Sequence, residues 1–270
     1  MHLGLIGYGN IARTLMGILS RESVPLSQVT VVCPRGFADE SRVRLASDFA
    51  GPGTVVCETQ ALVEAAPDLV VECAGHEGVR QHATAVLQAG IETIIVSIGS
   101  LADRSLHEAV IQAARAGSSR FILPAGAIGG IDILSALKVS GIEAVTYTGR
   151  KPPHAWKDTP AAALYDLDTL ATETVFFSGN AREAATQYPK NANVAATLAL
   201  AGLGFEKTDV RLIADPAAKG NVHEYSVRSA AADFTMKIEG RPSPDNPKTS
   251  VTTVYSIARE VFNRCREQAI

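Results

Sequence analysis

The sequence has little cysteine, no long apolar run and no excess of charge of either sign. Four cysteines in 270 residues, Cys33, Cys57, Cys73 and Cys265, lie far apart and form no CxxC pair. Such spacing supplies neither a disulfide framework nor a metal site of the zinc type, and it fits a reducing compartment. Apolar runs such as 69–71 and 94–96 end after a few residues, well short of the ~20 needed to cross a bilayer. The opening stretch MHLGLIGYGN has neither the basic segment nor the cleavage pattern of a secretory leader. Lys and Arg total 25 against 28 Asp and Glu, a formal net charge of −3 with no block of like charge. The electrostatic footprint of a nucleic-acid binder is therefore missing. Missing too is any G-x-S-x-G elbow, so Ser-His-Asp hydrolysis has no support. What is left is the expectation of a cytoplasmic protein that needs no membrane, nucleic acid or metal.

What is present is rhythm. Through residue 124, short β-like runs (2–6, 29–33, 54–57, 69–73, 93–97 and 120–123) alternate with amphipathic helical stretches (10–20, 39–50, 59–66, 76–89 and 103–116). Alternation with short loops indicates a parallel sheet with right-handed crossovers and helices on both faces, and six strands are the number in a full doubly wound dinucleotide fold. After Pro124-Ala125-Gly126 the pattern changes. A Gly-rich turn leads to a helix at 131–139, a β-branched run at 142–149 and a proline-bearing loop at 151–160. Then come a strand at 173–178, helices at 181–187 and 193–201, and strands at 209–214, 222–228 and 233–239. Thr249 or Ser250 can cap a last helix at 251–264. The fold class is α/β: a doubly wound Rossmann-type parallel sheet plus a smaller α+β domain with a mixed or antiparallel sheet. The expected boundaries are a dinucleotide-binding domain at 1–125, a substrate and dimerisation domain at 126–245, and a segment at 246–270 whose helix returns to the first domain.

Gly7-Tyr8-Gly9-Asn10-Ile11-Ala12 is G-x-G-x-x-A between the first strand and the first helix. Gly7 permits a tight turn, Gly9 lets the backbone approach a pyrophosphate, and Ala12 lets the helix pack closely on the sheet. The helix start at Asn10 and Ile11 offers unpaired N–H groups and the positive dipole end to phosphate. In this strand–turn–helix context the motif indicates NAD or NADP. The second strand leads into Cys33-Pro34-Arg35-Gly36, with no acidic residue until Asp39. An acid at that point would bond the ribose 2′-hydroxyl and exclude a 2′-phosphate. Arg35 can pair with a 2′-phosphate, stack on adenine, or stand solvated in its loop.

Six histidines are candidates for acid–base work. His2 and His107 look incidental. His76 and His82, six apart, fall on different faces of a helix and do not share a metal. His76 begins the helix after the fourth strand, and His154 sits in the proline-bearing loop. In Asn221-Val222-His223-Glu224-Tyr225-Ser226-Val227-Arg228, period-2 alternation places His223 on one face with Tyr225 and Val227. A histidine there is either a satisfied core residue or a catalytic one.

Several second-domain segments resemble the L-aspartate dehydrogenase family: 124–132 (PAGAIGGID), Tyr188-Pro189-Lys190-Asn191-Ala192-Asn193-Val194-Ala195-Ala196, Asn221-Val222-His223 and Asn246-Pro247-Lys248-Thr249-Ser250. The resemblance runs from the glycine turn to the last helix, and the P-K-N-x-N-V-A-A run is far more specific than the glycines. It implies a cytoplasmic, usually homodimeric enzyme that oxidises L-aspartate to iminoaspartate with NAD or NADP. The imine then feeds NAD biosynthesis or hydrolyses to oxaloacetate and ammonia. By motif it implies that Ala127 and Asn193 bind the nicotinamide cofactor and that His223 is the catalytic histidine.

The chemistry asks for such a residue. Hydride can leave the aspartate Cα only when the nitrogen has a free lone pair, so the ammonium must lose a proton. A neutral imidazole can take it near pH 7. The two carboxylates of the substrate need cationic or N–H donors; Lys190 is the first choice, with Lys157, Arg241 and Lys248 behind it, each also readable as a solvated surface residue, and Asn191 either orients a carboxylate or turns the chain into the helix. Two alternatives remain at this point. One is another two-domain reductase, acting on dihydrodipicolinate or a sugar ketone. The other is a non-catalytic NAD(P)-sensing protein, which would keep Gly7, Gly9 and Ala12 but need no polar residue at 223.

Overall fold

Six of the β-like runs assemble into one parallel sheet: β1 (His2–Ile6), β2 (Gln28–Val32), β3 (Gly53–Val56), β4 (Leu69–Glu72), β5 (Thr93–Ile95) and β6 (Phe121–Ile122), in the order β3-β2-β1-β4-β5-β6. This is the doubly wound dinucleotide-binding order, in which the chain reverses direction across the sheet beside β1. Residues 1–189, 192–241 and 250–269 are described by the computed structural model. Strand alternation separates two apolar layers. Leu3, Leu5, Val29, Val31, Leu69 and Val71 face one cluster, while Ile6, Val32 and Val70 face another with Leu62 and Val86. Buried on both faces, the strands need helices on each side, and the sequence between them supplies these.

The chain divides into two compact units, Met1–Pro124 with Val254–Ile270, and Ala125–Thr253. The helix Val251–Cys265 contributes Val254, Ile257, Ala258 and Val261 to the core of the first unit. That i, i+3, i+4, i+7 stripe is one face of a helix, and burying each larger side chain stabilises by roughly 1.5–3 kcal/mol. The second unit carries a five-stranded sheet of β7 (Ile142–Lys151), β8 (Thr174–Asn180), β9 (Thr208–Ala214), β10 (Val222–Ser229) and β11 (Phe234–Glu239), ordered β11-β10-β7-β9-β8. β7 and β9 run parallel and the other neighbours antiparallel, so the sheet is mixed.

Two local readings change. The stretch predicted as one α-helix at 76–89 contains a π-helical turn, Val79–Ala83, between His76–Gly78 and Thr84–Gln88. Such a turn shifts the helical phase, which simple 3.6-residue counting does not anticipate. β7 also runs two residues further than its β-branched run, so Lys151 ends a strand instead of opening a loop. Thr249, one of the two proposed helix caps, lies outside the described residues.

Candidate functional site

In the first unit the glycine turn does what its composition requires. Gly7 adopts φ +82°, and a Cβ there would sit 2.9 Å from the Cβ of Ala74. Only glycine takes that conformation and that approach without strain. Gly9 is the N-cap of the helix Asn10–Arg21, with no side chain capping its end and no acidic residue in its first turn. A Cβ on Gly9 would meet nothing within 4 Å. The glycine is thus not required by neighbouring protein atoms; its missing side chain leaves the approach to the helix N-terminus open. Ala12 is fully buried beneath it. A cavity of about 380 Å³ lies beside this turn, lined among others by Gly7, Gly9, Pro34, Phe37, Ser41 and Arg44. Small backbone, open N–H groups and an adjoining cavity fit a dinucleotide pyrophosphate and its adenosine end.

Of the three alternatives the sequence leaves open for Arg35, its position here is that of the solvated loop arginine. Its guanidinium is largely exposed and pairs with Glu58 at 3.1 Å, outside the cavity lining. Arg44, from the helix Ala38–Asp48, lines the cavity and pairs with Glu40. No motif announces Arg44, because only the packing of its helix beside the glycine turn brings it there.

Glu72 is another residue that sequence reasoning passed over. At the end of β4 it is fully buried and accepts hydrogen bonds from the backbone N–H groups of Ala74 (2.7 Å), Gly75 (2.8 Å) and Ser97 (2.9 Å). Burial pushes its carboxyl above the usual range, and those donors oppose the shift. The side chain ties together the loops that follow β4 and β5, next to Gly7. A charge at the end of an apolar strand was the available signal.

In the second unit, His223 on β10 is 5% exposed and stands opposite Gly149 of β7. Tyr147 and Lys151, two residues either side of Gly149, lie on the same face of β7 by the period of two, and both are buried. The Tyr147 hydroxyl is 2.8 Å from His223 Nδ1, which leaves Nε2 for other work. Desolvation, and secondarily the charge of Lys151, hold the imidazole down to about 4, so it is neutral throughout the physiological range. Tyr225, on the same face, donates to the carbonyl of Gly129 at 2.9 Å and so anchors the segment that carries Ala127. Beyond Lys151 the chain turns through Pro153–Trp156, and Trp156 is wholly buried against Phe176 and Tyr188.

The full length of the chain aligns with two proteins named L-aspartate dehydrogenase. That of Ralstonia nicotianae is 44% identical over 270 residues, covering 100% of both chains. That of Pseudomonas aeruginosa is 45% identical over 271 residues with the same coverage. The family "Aspartate dehydrogenase, C-terminal" matches residues 132–264. The chain belongs to the L-aspartate dehydrogenase family. Residues 7–124 match a second family, "Homoserine dehydrogenase, NAD binding domain". The crystal structure of aspartate dehydrogenase from Thermotoga maritima superposes with a TM-score of 0.75 at 29% identity, covering 100% of this chain and 99% of that one. A hyperthermophilic archaeal homoserine dehydrogenase in complex with NADPH gives 0.61 at 11% identity, covering 97% and 96%, a likeness of fold.

The other residues singled out from the sequence of this L-aspartate dehydrogenase homologue fall as follows. Ala127 is half-buried in a turn of the second unit, and Asn193 begins the helix Asn193–Ala201 with its side of the chain exposed. Lys190, Asn191 and Lys248 lie outside the described residues. Lys157 is exposed and engaged by Asp168 at 2.7 Å, and His154 and Arg241 are exposed. His82 lines the cavity beside the glycine turn and shares a 2.7 Å hydrogen bond with Thr59. Among the described residues there is no cluster of three or more His, Cys, Asp or Glu that could hold a metal, and no helix is long and apolar enough to cross a membrane.

Proposed function

We propose that this protein oxidises L-aspartate to iminoaspartate with NAD or NADP, and that His223 takes the proton released by the substrate nitrogen. Full-length identity to proteins of that name supports the substrate. The observation that carries the catalytic part is the buried imidazole of His223, neutral and engaged at Nδ1 by Tyr147.

In the first unit the glycine turn and Arg44 hold the dinucleotide; Ala127 and Asn193 remain candidates for nicotinamide contacts through the family resemblance. When bound, the nicotinamide supplies the acceptor for the hydride that leaves the aspartate Cα. His223 accepts a proton at Nε2 while its Nδ1–H donates to the Tyr147 oxygen. The form that acts as a base at Nε2 is the tautomer with Nδ1–H, and its bond to the Tyr147 oxygen persists when Nε2 is protonated. Burial excludes water from the imidazole and fixes its orientation, and a general base so placed contributes roughly 10²–10⁴-fold in rate. Lys190 and Asn191 remain candidates for substrate contacts. A sensing protein without catalysis would have no use for a polar residue buried at 223. The enzyme works as a cytoplasmic homodimer in this reading, which the family resemblance supports.

The test is absorbance at 340 nm with L-aspartate, D-aspartate, L-glutamate and L-alanine, each with NAD and with NADP. Reduced cofactor is expected from L-aspartate. None under alkaline conditions, and no consumption in the reverse direction from oxaloacetate plus ammonia, would overturn the assignment. His223→Ala is expected to cut turnover by roughly 10²-fold or more with NADH affinity retained. Light scattering of the purified protein, expected at twice the chain mass, tests the dimer.

A further inference from the structure

Three of the four cysteines stand in one row along the carboxyl edge of the parallel sheet. The Cys33 N–H donates to the Val56 carbonyl at 3.1 Å, which extends the β2–β3 register by one residue and sets Cys33 beside Cys57. The N–H groups of Gly7 and Cys73 donate in the same pattern to Val32 and Ile6, each at 2.8 Å, and complete the row Cys57, Cys33, Gly7, Cys73. All three cysteines are free thiols. Residues in register on parallel strands share a face, and Cys33 and Cys57 both pack on the core cluster that holds Val31 and Val55. Neighbouring strands stand about 4.8 Å apart, inside the Cα separation of roughly 4.4–6.8 Å that a disulfide spans. Cys73 is two strand spacings from Cys33 and beyond that reach. Access differs within the pair. Cys57 is half-buried, whereas Cys33 is 4% exposed and lines the cavity beside the glycine turn, next to Pro34.

We propose that Cys33 and Cys57 form a reversible disulfide on exposure to peroxide, and that this bond opposes dinucleotide binding. The inference rests on the reading of that cavity as the dinucleotide site. The Cys57 thiolate, the more accessible sulfur, attacks one oxygen of hydrogen peroxide; the O–O bond breaks, leaving a sulfenic acid and one water. The Cys33 thiolate then attacks the Cys57 sulfur, forming the S–S bond and expelling hydroxide, which leaves as a second water. Two thiols give up two electrons and two protons, and the peroxide takes them. A dithiol restores both cysteines by exchange. In a reducing compartment such a bond is transient, the form in which cytosolic disulfides ordinarily occur.

A disulfide holds its two Cβ atoms about 3.8 Å apart, closer than the strand spacing, so its formation draws Cys33, and Pro34 with it, toward β3. Pro34 and Phe37 line the cavity together with Ser41 and Arg44. A bound dinucleotide holds this wall in place and covers Cys33. The effects are reciprocal: the factor by which the disulfide weakens the nucleotide is the factor by which the nucleotide disfavours the disulfide.

Peroxide titration of the full-length protein, with and without saturating NADH, tests the pair. Peptide mass spectrometry without reductant is expected to show a link between Cys33 and Cys57, lost in Cys57→Ser and kept in Cys73→Ser. NADH affinity, followed by fluorescence, should fall about 10-fold on oxidation, return with dithiothreitol, and stay unchanged by peroxide in Cys57→Ser. NADH present during oxidation should slow formation of the link. Cys57→Ala supplies the same comparison where the serine variant folds poorly by circular dichroism. Sulfenic or sulfinic acid on separate cysteines with no link, or a link that leaves NADH affinity unchanged, overturns the proposal. Failure of the reduced protein to bind NADH, with the link still forming, removes the reading of the cavity and the coupling with it.

Discussion

Tyr147 and His223, 76 residues apart in sequence, meet across two antiparallel strands with Oη and Nδ1 at 2.8 Å and their rings within 19° of parallel. The contact depends on the residue between them. Gly149 is paired with His223, and a Cβ on it would lie 2.7 Å from the Tyr147 hydroxyl oxygen. The absent side chain is the space through which the phenol reaches the imidazole.

Tyr147→Phe removes the hydroxyl and leaves a buried ring nitrogen without that partner. An unmade buried hydrogen bond costs about 1–3 kcal/mol, so thermal stability should fall. Turnover should fall by about 10-fold, with a smaller change in the KM for L-aspartate, since the imidazole loses its orientation. Gly149→Ala should give a similar kinetic defect by displacing the same hydroxyl. Wild-type kcat in both variants would show that the contact is packing alone.

His223 carries a pH signature. Its folded-state value, about 4, lies below the ordinary 6.5, so the unfolded chain binds the proton more readily. The resulting stability is fully present above pH about 6.5 and is lost as pH falls toward 4. Melting temperatures of wild type and His223→Asn, compared at pH 7 and pH 5, should show the wild type losing more. In NMR spectra the His223 ring signals should not titrate between pH 8 and 5.5. A midpoint near 6.5 would contradict the burial argument.

The two glycines of the turn should fail differently. Gly7→Ala meets Ala74 and a positive φ, a combination that costs of the order of 1–2 kcal/mol or more in stability. Gly9→Ala meets no protein atom, so the melting temperature should hold while NADH affinity drops by roughly 10-fold through crowding of the pyrophosphate. Differential scanning fluorimetry and NADH fluorescence titration separate the two outcomes.

Arg44 and Arg35 divide the question of cofactor choice. Arg44 lines the cavity beside Ser41, whereas Arg35 is turned to Glu58. Arg44→Ala should weaken NADPH more than NADH, by about 10-fold in the ratio, as expected for loss of a charge-assisted phosphate contact. Arg35→Ala should leave the ratio unchanged. The reverse pattern in titrations with both nucleotides would return the role to Arg35.

Local sequence determined the parts of this protein that local physics governs. The periods of 2 and 3.6 place strands and helices, the G-x-G-x-x-A turn fits its positive φ and its uncapped helix start, and alternation alone puts His223 with Tyr225 and Val227 on the inward face. Chain order after Pro124 likewise carries the change to a second unit. Tertiary structure decided the rest. Nothing near His223 in sequence names Tyr147 or Lys151, because strand register is set by pairing across the sheet and not by either strand alone. Lys151 reads as a loop residue until β7 is seen to continue through it and Trp156 is seen to close beneath it. The last helix shows an apolar stripe in sequence, but only packing shows that the stripe belongs to the core of the first unit. An amphipathic pattern states that a face must be buried; which partner buries it is a property of the whole chain.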